Sequence, residues 1–133
     1  MDAASIPFNY PFIPENTLKN LQQALDHRYL SGPGPFIDTC ETYLQEKFAY
    51  PHVFLTHTAT DALEMIALLL ALQVGDQIIM PSFTHPSTAN AFVLSGAVPV
   101  LVASELQTMN IDPQQIEQAI TPKTKAIVIV HYA

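Results

Sequence analysis

The sequence has little basic character: five Lys and Arg residues stand against twelve Asp and Glu, for a formal net charge of −7. Recognition of a phosphate backbone needs a clustered basic surface, so this acid excess argues against a nucleic-acid footprint and points to small or neutral partners. Cysteine is nearly absent as well. The single Cys40 cannot form an internal disulfide, and its helical spacing with Phe36, Leu44 and Phe48 predicts a small core residue in a reducing compartment. No apolar run approaches the ~18 residues that a membrane span needs. The opening "MDAASIPFNYPFIPEN" also lacks the basic region and continuous apolar stretch of a signal peptide. These absences predict a cytoplasmic protein. Neither GxGxxG nor GxxxxGK(S/T) occurs, so a dinucleotide fold and a P-loop have no support. The five histidines show no metal-ligand spacing, and no metal is expected.

What is present is apolar. With 49% hydrophobic and 13% charged residues the chain is too apolar for disorder, and 133 residues suffice for one domain but not for two. Residues 1–15 carry Pro7, Pro11 and Pro14 without periodicity and read as an extended arm. Residues 16–50 read as two helices. Leu18, Leu21 and Leu25 mark the first, "SGPGP" at 31–35 interrupts, and the Phe36 to Phe48 stripe marks the second. From residue 53 the apolar runs "VFLT", "QIIMP", "VPVLV" and "KAIVIV" alternate with helical patterns, which gives β-α-β-α-β-α-β over 53–133. Near-continuous apolar strands separated by helices predict an α/β fold of three layers, a parallel sheet covered on both faces. Pro86 and Gly96 should open and close one helix, and Asp112, Pro113 and Gln115 should cap another.

The stretch best suited to chemistry is "LTHTATDALEMIALLLAL". A strand should end at Thr56, and a helix should open at Thr60 or Asp61 with backbone N–H groups that lack partners, a favourable place for an anion. The hydroxyls of Thr58 and Thr60 could add hydrogen bonds. The same residues also read as an ordinary cap, with Asp61 and Glu64 as a capping box. His85, just beyond the second strand, should face the same carboxyl edge, where an imidazole could stack on a planar ligand, shuttle a proton or simply be solvated.

The segments "IPFN", "LTHTATDALEMIALLLALQVGDQIIMPSFTHPSTANAFVLSGA" and "TMNIDPQQIEQAITPKTKAIVIVHYA" resemble the DegT/DnrJ/EryC1/StrS family of pyridoxal-phosphate sugar aminotransferases, in the same order and over nearly the whole chain. The likeness is strongest to members that make dTDP-4-amino-4,6-dideoxygalactose from the 4-keto sugar nucleotide. The resemblance implies the N-terminal part of an aspartate-aminotransferase-like, fold type I large domain. It implies that Ala59, Thr60 and Asp61 hold the cofactor phosphate, and that His85 stands where a ring, usually Phe or Trp, stacks on the pyridine. It places Tyr29, Ser31 and Gly32 near the sugar-nucleotide pocket, with glutamate as amino donor. Members of the family are dimers, which adds an expectation of self-association. Ala59 replaces a frequent Gly, a mild change where only the backbone is used, and Ala103 replaces a usual Asp.

Transamination also needs a lysine amine and a carboxylate that keeps the pyridine nitrogen protonated. In the family both follow the segment that ends at "VIVHYA". Lys19, Lys47, Lys123 and Lys125 match neither position, so no catalytic residue is assigned. The expectation is a single incomplete domain over 1–133, inactive by itself. The other readings are a non-catalytic module that binds a phosphorylated ligand or a protein partner, and a purely structural domain.

Overall fold

The computed structural model describes residues 7, 9–28 and 30–131, and the chain divides into two compact units, Met1–Leu55 and Thr56–Ala133.

In the first unit, α1 (Thr17–Asp26) and α2 (Pro35–Phe48) form where the leucine and phenylalanine spacings place them. Thr17 opens α1 by donating its hydroxyl to the Pro14 carbonyl at 2.7 Å. Pro35 takes the first position of α2, where a missing N–H costs nothing, and Ala49 ends the helix in a left-handed conformation at φ 54°. Neither helix buries a residue. Cys40 is therefore exposed rather than core, because no described residue covers its turn of α2. The run Val53–Thr56 forms no strand either. Its Leu55 N–H donates to the Glu41 carboxylate at 2.9 Å instead of to a neighbouring strand.

The second unit holds α3 (Ala59–Leu69), β1 (Gln77–Pro81), α4 (Pro86–Val93), β2 (Val98–Val102), α5 (Pro113–Ala119) and β3 (Thr124–Ile127). The sheet has three strands in the order β2-β1-β3, every pairing parallel. The hydrophobic stretch around Ile78 runs unbroken because β1 is central and covered on both sides: Ile78, Ile79 and Met80 are fully buried. Ile78 and Met80 pack with Ala67, Ala91 and Phe92 of α3 and α4, whereas Ile79 packs with Val102 and Ile111, against which Ile116 and Ala119 of α5 rest. Alternation along one strand thus feeds two cores, and the unit has three layers. Burial of a side chain such as Phe92 contributes roughly 1.5–3 kcal/mol.

Chain direction explains the layering. From β1 the chain steps to β2 through α4, then crosses back over β1 to β3 through α5. Crossovers of one hand taken in opposite directions place their helices on opposite faces. Beyond β3 the ladder continues for one bond, from Val128 N–H to the Ile79 carbonyl at 2.8 Å.

The caps are local. Gly96 closes the turn after α4 at φ +84°, and a Cβ there would lie 3.0 Å from Val74 Cγ2, so glycine suits it on two counts. Asp112 caps α5 by accepting from Gln114 N–H at 2.8 Å, one residue earlier than the Gln115 partner expected. Between β2 and α5 the loop is closed by backbone bonds, Asp112 N–H to Ala103 O at 3.1 Å and Glu105 N–H to Asn110 O at 2.9 Å. These need no side chain at 103. At the sheet margins, Leu101 of β2 and Ile127 and Ile129 along β3 and beyond are exposed.

Candidate functional site

Three segments of the second unit meet around one cavity of about 590 Å³. Ala59, Ala62 and Leu63 come from the start of α3, Phe83, Thr84, His85 and Thr88 from the β1–α4 connection, and Val128, Ile129 and Val130 from the chain leaving β3. The cavity lies at the carboxyl ends of β1 and β3. It is there that the strand order reverses, since the connection after β1 runs to one side and the return to β3 runs to the other. Helices diverging from such a switch point leave a crevice that backbone connections cannot fill.

The opening turn of α3 supplies donors. Thr58 is the N-cap, in extended conformation at φ −141° and ψ 157°. Its hydroxyl accepts from Asp61 N–H at 3.1 Å, and the Asp61 carboxylate accepts from Thr58 N–H at 3.2 Å. The capping box is therefore Thr58 with Asp61 rather than Asp61 with Glu64, and the helix opens at Ala59, earlier than Thr60 or Asp61. The reason is that a threonine followed three residues later by an acid satisfies two amides reciprocally, and this outweighs the later start. Ala62 N–H reaches the Thr58 carbonyl at 3.4 Å. The amides of Ala59 and Thr60, at the first two helical positions, have no intrahelical acceptor to reach and point along the positive end of the helix dipole. Ala59 lines the cavity, while Thr60 and Asp61 are half-buried beside it.

On the opposite wall His85 is itself a cap, the N-cap of α4. Its Nδ1 accepts from Ser87 N–H at 3.2 Å and lies 2.9 Å from Ser87 Oγ. Thr84 and Thr88 join their hydroxyls at 2.9 Å in the same wall. Sequence reasoning missed these two, together with Phe83 and the residues after β3. A pair of threonines four apart across a helix start was the available signal for the first.

No lysine and no acid is among the described residues that line the cavity. Lys47 lies over the rings of Tyr43 and Phe48, and Lys125 stands 3.9 Å from Asp76. Among the described residues no group of three or more His, Cys, Asp and Glu gathers as a metal site would require. Of the residues assigned to the sugar-nucleotide pocket, Ser31 and Gly32 fall in the first unit. Gly32 borders a smaller crevice of about 150 Å³ there, with His27 and Phe36. Tyr29 lies outside the described residues.

The model of the DegT/DnrJ/EryC1/StrS aminotransferase family matches residues 11–133. The chain belongs to this family. Among solved structures it is similar to NtdA from Bacillus subtilis with bound cofactor PMP, at 35% identity and a TM-score of 0.77 over 96% of this chain and 32% of that one. It is also similar to Spr1654 from Streptococcus pneumoniae, designated a sugar aminotransferase, in its PMP form, at 33% identity and a TM-score of 0.78 over 93% of this chain and 31% of that one. A likeness of fold alone extends to the Escherichia coli GDP-4-keto-6-deoxy-D-mannose-3-dehydratase with bound hydrated PLP, at 23% identity and a TM-score of 0.80 over 94% of this chain and 33% of that one. The α/β architecture is that of fold type I aminotransferases, and the chain spans about a third of the length of these relatives. Its family is one of pyridoxal-phosphate enzymes.

Proposed function

We propose that this chain carries the phosphate- and ring-binding portion of a pyridoxal-phosphate-dependent sugar aminotransferase. The observation behind this reading is the cavity at the switch point, with two unpartnered amides at one wall and an imidazole at the other. The residues suit the cofactor in part. Ala59 and Thr60 N–H would bind the phosphate, with the α3 dipole favouring its charge. Asp61 holds the turn through its box with Thr58 and contributes its place in the backbone rather than its carboxylate. His85 would cover one ring face, and Leu63, Val128 and Ile129 would keep water from it. Pyridoxal phosphate, when bound, supplies an electron sink for chemistry at an amine-bearing carbon.

The full reaction of this reading takes a 4-keto-6-deoxyhexose nucleotide and glutamate to a 4-amino sugar nucleotide for a surface polysaccharide. Ser31 and Gly32, with Tyr29, would serve the nucleotide sugar. The 133-residue chain by itself would bind the cofactor without transaminating, because the described residues of its cavity wall offer no lysine amine and no carboxylate for the pyridine nitrogen. That same wall favours the second reading, a non-catalytic module for a phosphorylated ligand or a protein partner.

An absorbance titration of the chain with pyridoxal phosphate, followed by borohydride reduction and intact mass, tests both. Saturable binding that inorganic phosphate competes away, with no covalent adduct, supports the cofactor-binding reading. A stoichiometric adduct on one lysine would refute the claim that the chain cannot engage the cofactor covalently. Absence of any binding would sink the cofactor reading itself.

A further inference from the structure

We propose that Thr88 is a positioning residue that holds the His85 ring in one orientation at the cavity wall, with Nδ1 as an acceptor and Nε2–H left free for a ligand. For the identity of that ligand the proposal rests on the cofactor reading above. For the state of the ring it does not.

Thr88 is the buried polar side chain among the described residues, 6% exposed. A hydroxyl withdrawn from water to that extent needs a partner, and Thr84 Oγ1 at 2.9 Å provides one. Thr88 also donates its backbone N–H to the His85 carbonyl at 3.0 Å. One residue thus ties down both 84 and 85, the first through its side chain and the second through its main chain. This removes the freedom that a connection between a strand end and a helix start would otherwise have.

The ring is then fixed at its other end. Pro86 occupies the first helical position, and Ser87 at the second supplies the N–H that an N-cap side chain ordinarily accepts from. Ser87 N–H donates to His85 Nδ1 at 3.2 Å, and the Ser87 hydroxyl lies 2.9 Å from the same atom. A backbone amide only donates, so Nδ1 carries no proton in this geometry and the neutral ring carries it on Nε2. The site therefore presents an imidazole face together with one directed donor. A phenylalanine in the same place would offer the face alone and would leave the Ser87 amide uncapped.

The test uses the intact chain labelled with ¹⁵N. A through-hydrogen-bond nitrogen–nitrogen coupling between Ser87 N and His85 Nδ1 reports the cap directly, and three-bond couplings report the His85 χ1 rotamer. Both should be present in the wild type and in Thr88→Ser, which keeps the hydroxyl. Both should be averaged in Thr88→Val, which keeps the volume and the main-chain bond to His85 but releases the side chain of residue 84, and in Thr84→Val, whose thermal melt shows whether the fold survives should Thr88→Val not fold. Pyridoxal phosphate should bind the valine variants roughly threefold to tenfold more weakly, the loss of about one hydrogen bond, and Thr88→Ser should recover it. A folded valine variant with the wild-type coupling and rotamer would overturn the proposal. Failure of the wild type to bind pyridoxal phosphate, with the couplings intact, would overturn the cofactor reading and leave the positioning role standing.

Discussion

Proline at position 59 separates the anion site from the fold that carries it. Ala59 is the first residue of α3, where a missing N–H breaks no helical bond and where proline is favoured. Thr58 before it is extended at φ −141° and ψ 157°, the conformation that a following proline requires. Ala59→Pro should therefore leave stability unchanged or raise it by about 0.4–1 kcal/mol through the unfolded chain. The same substitution deletes one of the two free amides. A hydrogen bond to a charged group contributes about 1.5–3 kcal/mol, so affinity for inorganic phosphate and pyridoxal phosphate should fall by roughly tenfold to a hundredfold. Ala59→Val keeps the N–H while adding similar bulk to the cavity wall, and it serves as the steric control. Calorimetric titration at constant ionic strength, beside a thermal melt, reads both quantities. A folded Ala59→Pro variant that binds phosphate as tightly as the wild type would refute the assignment of the Ala59 amide.

Thr58→Ala removes the acceptor for Asp61 N–H and half of the capping box, and it should lower stability by about 1 kcal/mol in a denaturant titration. Phe92→Ala empties the core between β1 and the α3–α4 layer. The expected cost of about 3–5 kcal/mol is a large part of the stability of a small domain, and should appear as an early or non-cooperative unfolding transition. Exposed apolar residues on the edge strands should drive self-association. Leu101→Lys, at a position 60% exposed on β2, should shift sedimentation velocity toward monomer without lowering the melting temperature.

How far the sequence carries can be followed at particular residues. Val98 to Val102 and Gln77 to Pro81 form strands as their apolar runs predict, and the capping proline at 86 and the turn glycine at 96 sit where punctuation puts them. Local chemistry fixes such features, so they are readable within a window of a few residues. Val53 to Thr56 has the composition of a strand and forms none, because a strand exists only where a neighbour supplies its ladder. Cys40 has the spacing of a core residue and is exposed, because spacing says which residues share a face and not what covers that face.

The candidate site divides in the same way. Thr60, Asp61 and His85 stand out in the sequence because strand-to-helix turns near the carboxyl ends of α/β strands have recognisable residues, whereas Ala59 is marked only by the family resemblance. That the Asp61 carboxylate is spent on Thr58, that His85 is a cap, and that Thr84 and Thr88 pair inside the wall are decided by contacts of a few ångströms. The sequence by itself determined the alternation of strands and helices from Gln77 onward and the family. The tertiary structure alone decided which faces are covered, which amides remain free and which three segments enclose one cavity, because these depend on the order in which strands are laid side by side.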